Sequence, residues 1–312
     1  MARRILVLGG SGFVGMHVCA RLVAAGDWVT VPTRRRARAR DLLPLPTVNV
    51  VEADIHDPKA LAERLVGTDA VINLVGILHE DGAQTFAAAH VDLTAKVIAA
   101  CRAAGVARLL HVSALGASPD GPSRYLESKG KAERLVEASG LAWTIFRPSV
   151  IYGRDDSFLG LFAKLVRSLP VIALAAPNAK FQPVYVGDVA HCVVQSVADD
   201  RTIGQRYDLA GPRVYTLREL ITFVMETTGH VRPVIPLGPA LSSLQARVLE
   251  LAPGRLMTRD NLASMQVDNV APGPFPAVFG IQPVALESVA PGWLAPTAMH
   301  SRFDEFRAQS GR

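Results

Sequence analysis

The chain has 312 residues, of which 49% are hydrophobic and 20% charged, with a formal net charge of +5. That length buries a large core and exceeds the usual size of one compact domain, and the composition excludes a disordered chain. No apolar run reaches the length of a bilayer span, and much of the positive charge lies in one block, Arg34, Arg35, Arg36, Arg38 and Arg40, so overall basicity does not argue for a nucleic-acid partner.

In chain order, Met1-Ala2-Arg3-Arg4 resembles the start of a signal peptide, but the apolar stretch after it is only a strand and breaks at Gly9-Gly10. The expected location is therefore cytoplasmic. Residues 5–15 read as a buried strand, Ile5-Leu6-Val7-Leu8, running into a glycine loop and then a helix carrying Val14, Val18 and Leu22. Gly9, Gly12 and Gly15 are three apart, and Gly10-Ser11-Gly12-Phe13-Val14-Gly15 also fits a dinucleotide fingerprint. The first glycine allows a tight turn, the second lets a pyrophosphate approach the backbone, and the third lets helix pack on strand. The helix N-terminus then offers unpaired N–H groups to phosphate oxygens. Gly9, Ser11, Gly12, Phe13, Val14 and Gly15 are thus candidate cofactor contacts.

Strands are predicted at 4–8, 28–33, 48–53, 69–75, 107–113 and 141–147, with helices near 12–25, 57–66, 84–104 and 124–139. Regular alternation of this kind builds a doubly wound α/β fold on a parallel sheet. An NAD-specific site wants a carboxylate at the end of the second strand. Here that strand ends Thr33-Arg34-Arg35-Arg36, with no carboxylate before Asp41. An arginine at this point accommodates a 2′-phosphate, so the expected cofactor is NADP(H) in preference to NAD(H), with Arg34 and Arg35 as contacts. Arg38 and Arg40 are read as solvated, or as facing an acidic partner or anionic lipid headgroups. Asp54-Ile55 closes the third strand, where Asp54 is either an acceptor for the adenine amino group or a turn residue. Val75-Gly76 follows the fourth strand, where a small residue lets the nicotinamide ribose lie against the backbone.

Ser113 ends the fifth strand, and Tyr125 and Lys129 are four apart on one helix face. A lysine beside a phenol favours the phenolate and brings it toward the working pH, while a nearby serine hydroxyl bonds the reacting oxygen. The plainer alternative is an exposed i,i+4 pair on a surface helix. Only eleven residues separate Ser113 from Tyr125, which leaves little material for a substrate wall. Cys19, Cys101 and Cys192 fall in helical patterns without paired spacing, and the eight histidines lack ligand spacing, so neither disulfides nor a metal are expected.

Beyond Pro148 the rhythm loosens into a smaller C-terminal α/β lobe over 151–312, with residues about 180–210 returning to the sheet of the 1–150 domain. Residues 156–168 read as an amphipathic helix, and Thr216-Leu217-Arg218-Glu219 is a capping box opening a helix over Leu217–Thr228. In 241–251, Leu241, Leu244, Val248 and Leu251 form one stripe. It suits a core, a partner helix or a bilayer surface, and core packing is the default expectation.

Together these motifs resemble the short-chain dehydrogenase/reductase superfamily in its extended or atypical branch. The residues concerned are the loop Gly9–Gly15, Tyr125 and Lys129, Arg147-Pro148-Ser149, and Val184-Tyr185-Val186-Gly187-Asp188. Ser123–Lys129, Tyr152–Leu159, Gln182–Val186 and Met257–Leu262 look more specifically like the complex I alpha-subcomplex subunit 9 family and its bacterial relatives. That resemblance implies a Rossmann fold and a tightly held NADPH near Gly9, Gly12, Gly15, Arg34, Tyr125, Lys129 and Pro148. It also implies an accessory or assembly role in quinone-linked respiration or ubiquinone biosynthesis. Partners would be respiratory-complex or quinone-biosynthesis proteins, with peripheral contact at the inner membrane face. The competing reading is an NADP-dependent oxidoreductase or epimerase-like enzyme acting on an apolar or quinone-precursor substrate. A redox-sensing regulator is a third.

Overall fold

A computed structural model describes residues 2–82, 84–251 and 257–295. Six strands alternate with helices as the periodicity predicts: β1 (Arg4–Leu8), β2 (Trp28–Thr33), β3 (Val48–Glu52), β4 (Ala70–Asn73), β5 (Arg108–Val112) and β6 (Ala142–Pro148). A seventh strand, Gln205–Leu209, pairs with β6, and the sheet order is Gln205–Leu209, β6, β5, β4, β1, β2, β3. All pairs are parallel. The order reverses between β1 and β4, which opens a crevice beyond the C-terminal ends of those two strands. This is the doubly wound Rossmann arrangement.

The helices start where local chemistry satisfies their first N–H groups. Asp57 accepts from the Lys59 N–H to open α2 (Pro58–Leu65), and Ser123 accepts from the Leu126 N–H to open α4 (Arg124–Glu137). The first helix, α1 (Phe13–Ala24), is different: its N-cap is Gly12 and no side chain caps it. The third predicted helix begins with a π-helical turn, Ala87–Asp92, before α3 (Leu93–Ala104). Strand and helix packing buries Leu6, Leu8, Leu65, Val71, Leu93 and Ile145 in one core.

Two compact units emerge. The first comprises Met1–Pro148, Val186–Leu209 and Pro276–Ile281, and the second Ser149–Tyr185, Ala210–Phe275 and Gln282–Arg312. Within the first unit, α6 (Val186–Ser196) packs on α1, and Phe279 lies against Phe146 and Tyr207. The short return over Pro276–Ile281 carries no sequence signal that would have assigned it there. The second unit centres on α5 (Leu159–Ser168) and α7 (Leu217–Thr228), with Tyr152, Leu220, Val224, Leu286 and Leu294 in its core. Asp156 opens α5 by accepting from the N–H groups of Phe158 and Leu159, so the predicted helix starts three residues later, at Leu159. The capping box forms as predicted, with Thr216 and Glu219 each accepting from the other's backbone N–H.

One expectation is overturned. Helix α8 (Pro239–Leu251) buries its small face, Ser242 and Ala246, and leaves Leu241, Leu244 and Val248 exposed. The stripe is therefore not core, and Leu251's side chain lies outside the described residues. Periodicity identifies a stripe but not the direction it faces. That direction is set here by Ser242 Oγ reaching the Leu237 carbonyl and Gln245 Nε2 donating to the Ala173 carbonyl.

Candidate functional site

The glycine loop connects the C-terminal end of β1 to α1. Gly9 sits at φ +78°, a left-handed conformation open to glycine, and its amide plane lies against Leu74 and Val75 past the end of β4. A Cβ on Gly15 would stand 2.3 Å from the Gly9 carbonyl oxygen, so α1 meets the loop backbone to backbone. Gly12 behaves otherwise. A Cβ there would meet the Gly9 carbonyl at 3.2 Å and nothing else within 4 Å. The loop's own packing thus demands Gly9 and Gly15, whereas the space above Gly12 is open. An uncapped helix end beside open space is the cradle a pyrophosphate requires, and the residues present fit a dinucleotide. Ser11, Phe13 and Val14 line the same turn and are half-buried.

Beyond the fourth strand, Val75 N–H donates to Asn73 Oδ1, and Gly76 comes close to the α4 lysine: a Cβ there would lie 3.3 Å from Lys129 Nζ. Lys129 itself is buried, not the exposed partner of a surface pair. Its ammonium donates to the carbonyls of Val112 (3.1 Å) and Val75 (3.4 Å), tying α4 to the ends of β5 and β4. Desolvation pushes it down to about 8, partly countered by Glu133. Tyr125 departs from the sequence expectation. Burial pushes its phenol up to about 12, because desolvation outweighs any help from Lys129, whose positive charge is directed at two backbone carbonyls. Ser113, next after Val112, is buried, and its Oγ has no hydrogen-bond partner among the described residues. Pro148 ends β6, where its carbonyl accepts from Leu115 N–H.

Sequence reasoning missed His90. It sits in the π-helical turn, buried, with its Nε2 accepting from the Ile77 N–H (3.2 Å) and its Nδ1 therefore donating to Ser128 Oγ (2.8 Å). Ser128 Oγ passes the chain on to the Tyr125 carbonyl, and the imidazole stands edge-on to the Tyr125 ring at 5.6 Å. Burial and the Lys129 charge hold the imidazole neutral, pushed down to about 2. The spacing puts His90 at the head of the buried stripe Leu93, Thr94, Val97, Cys101 but carries no sign of its partners.

The adenosine end is more open. Arg34 and Arg35 are exposed past β2, and with the Gln84 amide turned so that its oxygen faces the guanidinium, Arg34 donates to it through both terminal nitrogens at 2.8 and 2.9 Å. Arg36 N–H donates to Glu52 at the end of β3. Asp54 is exposed and accepts from the His56 N–H across a turn, and Ile55 packs with Val75 on the core beneath. The contacts therefore join the glycine loop, Val75-Gly76, Lys129, Tyr125 and the residue before Ser113, whereas among the described residues no hydrogen bond ties Arg34, Arg35 or Asp54 to that group. All three cysteines are buried and unpaired, and no helix among the described residues is long and apolar enough to cross a membrane.

Residues 9–200 match a family described as NAD(P)H-binding. Over 290 residues the chain is 30% identical to mitochondrial NADH dehydrogenase (ubiquinone) 1 alpha subcomplex subunit 9 of Mus musculus, covering 90% of this chain and 77% of that protein. The chain is an NAD(P)H-binding protein of the subunit 9 family. It is also 26% identical over 230 residues to an NAD(P)H azoreductase of Xenophilus azovorans, covering 74% of this chain and 75% of that one. Among solved structures, an NADPH-dependent quinone oxidoreductase of Escherichia coli complexed with NADPH superposes with a TM-score of 0.71. It is 21% identical and covers 92% of this chain and 98% of its own, a likeness of fold.

Proposed function

We propose that the protein holds NADP(H) as a resident ligand and acts as an accessory or assembly factor in quinone-linked respiration or ubiquinone biosynthesis. The observation that carries this reading is the state of the Tyr125–Lys129 pair. The lysine is anchored on the Val112 and Val75 carbonyls, and the phenol is pushed up to about 12. A phenol kept protonated by burial is a hydrogen-bond donor suited to holding a ribose hydroxyl. Tyr125 and Lys129 hold the nicotinamide ribose, Gly9–Gly15 the pyrophosphate, and Arg34 with Arg35 the 2′-phosphate that selects NADP(H). The kinship with complex I subunits over most of the chain supports partners among respiratory-complex proteins, at the inner face of the membrane that carries them.

A second reading has one observation in its favour. The Ser113 hydroxyl, buried and without a partner among the described residues, is available to a reacting carbonyl or alcohol. Bound NADP(H) supplies hydride chemistry, and with it the protein is an oxidoreductase or epimerase-like enzyme on an apolar or quinone-precursor substrate, Tyr125 moving the proton.

Two measurements separate these readings. Mass spectrometry of the ligand released from purified protein identifies the dinucleotide, and NADPH is expected. Tyr125→Phe then removes one hydrogen bond worth about 1 kcal/mol. In the accessory reading the variant stays loaded and supports quinone-linked NADH oxidation in a deletion strain. A folded, NADPH-loaded Tyr125→Phe protein that fails to complement overturns it in favour of the enzyme, where losing the acid/base group lowers the rate by roughly 10²–10⁴.

A further inference from the structure

Arg34, exposed as it is, has a fixed neighbour. The Gln84 amide oxygen, turned toward it, accepts from both terminal nitrogens of the guanidinium at 2.8 and 2.9 Å. In the sheet, β1 lies between β2, which delivers Arg34, and β4, which leads to Gln84. The contact therefore joins the two chain segments that flank the glycine loop. Gln84 is itself held through its backbone. It exchanges N–H and carbonyl bonds with Asp81, each 3.0 Å. Glu80 fastens the same segment by accepting from the Phe86 N–H at 2.9 Å and pairing at 2.7 Å with Arg124, the first residue of α4. Thr85 Oγ1 accepts from the Ala88 N–H in the π-helical turn that follows. None of these bonds uses the Gln84 side chain.

The chemistry of this clamp bears on what Arg34 can bind. A guanidinium presents five N–H groups in a planar fork. An oxygen that accepts from both terminal nitrogens occupies the far end of that fork. It leaves the edge made by Nε–H and one terminal N–H for a second, bidentate acceptor. The amide is also neutral, so it fixes the direction of the guanidinium without cancelling its charge, as a carboxylate would. Among the described residues Arg34 forms no ion pair with a carboxylate. A guanidinium that is aimed, still charged and open along one edge suits a phosphate, and a long side chain already ordered loses less freedom when the ligand arrives. We infer that Gln84 is a positioning residue that aims Arg34 and thereby sets the discrimination between 2′-phosphorylated and unphosphorylated dinucleotides. The inference rests on the proposed meeting of Arg34 with the 2′-phosphate and adds the residue that makes that meeting selective.

The test is calorimetric titration of NADPH and NADH into the full-length protein freed of dinucleotide, for wild type, Arg34→Ala, Gln84→Ala, the double variant and Gln84→Glu. Gln84→Ala is expected to bind NADPH about three- to tenfold more weakly, with NADH affinity and melting temperature unchanged. In an Arg34→Ala background the same change is expected to alter neither affinity, since nothing remains to be aimed. Gln84→Glu keeps the acceptor but brings a carboxylate beside the phosphate. It is expected to weaken NADPH more than Gln84→Ala does and to spare NADH. Equal losses for both dinucleotides in Gln84→Ala, or a loss that persists without Arg34, overturn the inference, because Gln84 would then only support its own segment. NADPH bound by Gln84→Ala as tightly as by wild type also overturns it. So does tighter binding, since the amide would then be a competitor that the phosphate displaces. Arg34→Ala separates this inference from the reading beneath it. If that variant loses NADPH selectively and Gln84→Ala does not, only the role of Gln84 fails; no selective loss in Arg34→Ala removes both.

Discussion

The glycine loop offers a test in which protein packing and ligand binding separate. Gly15→Ala places a methyl 2.3 Å from the Gly9 carbonyl oxygen and 2.5 and 2.6 Å from the Gly10 backbone. Ordinary contacts begin at 3.4 Å, so loop and helix must part by about 1 Å, and none of the atoms in the way is a side chain that swings aside. Overpacking of this kind costs roughly 1–3 kcal/mol, and three backbone contacts put Gly15→Ala at the upper end. At about 2 °C per kcal/mol for a chain of this size, the melting temperature should fall by about 6 °C. Gly12→Ala meets one oxygen at 3.2 Å and should stay within about 1 kcal/mol of wild type. Its methyl nevertheless stands where the pyrophosphate is proposed to approach the backbone, so NADPH affinity should fall by at least about tenfold. Thermal melts with and without NADPH read both effects: wild type is raised by the ligand, and Gly12→Ala melts like ligand-free wild type in either condition. A Gly15→Ala protein that melts like wild type would refute the packing argument. An undiminished NADPH-induced rise in Gly12→Ala would show that the dinucleotide lies elsewhere.

Three further outcomes are expected. Arg34→Ala should weaken NADPH binding at least about tenfold and leave NADH nearly untouched, because it removes the guanidinium proposed to meet the 2′-phosphate; titration of both dinucleotides checks this, and equal losses would remove the arginine from cofactor selection. Glu133→Gln should destabilise by about 3 kcal/mol, since it removes the buried carboxylate that Arg147 binds through both Nε and a terminal nitrogen and leaves it only the charges of Asp208 and Glu137; urea unfolding within 0.5 kcal/mol of wild type would contradict that. The buried Lys129 releases its proton near 8 when folded and near 10.5 when unfolded, so between those values the unfolded chain binds more protons and stability rises with pH. Relative to Lys129→Met, wild type should gain about 2 kcal/mol between pH 8 and pH 10. A flat difference in urea unfolding across that interval would mean the ammonium is solvated.

The first half of the fold was legible in the residues because its signals are local. Strands buried on both faces read as unbroken apolar runs such as Ile5–Leu8, and Asp57-Pro58 and Thr216–Glu219 carry their helix starts in adjacent side chains. The spacing of Gly9, Gly12 and Gly15, and of Tyr125 and Lys129, likewise marked the candidate site, since a turn and a helix face are properties of a few consecutive residues. What depended on distant partners was not readable. His90 became part of the site only through Ile77 and Ser128, which lie 13 and 38 residues from it. Tyr125 moved up rather than down because the fold buries its phenol, and desolvation disfavours the phenolate. The stripe on α8 was visible as a stripe, but whether leucine or alanine faced inward was decided by a serine and a glutamine finding backbone acceptors on neighbouring segments. Periodicity is written into one helix, whereas orientation and protonation depend on what the rest of the chain brings against it.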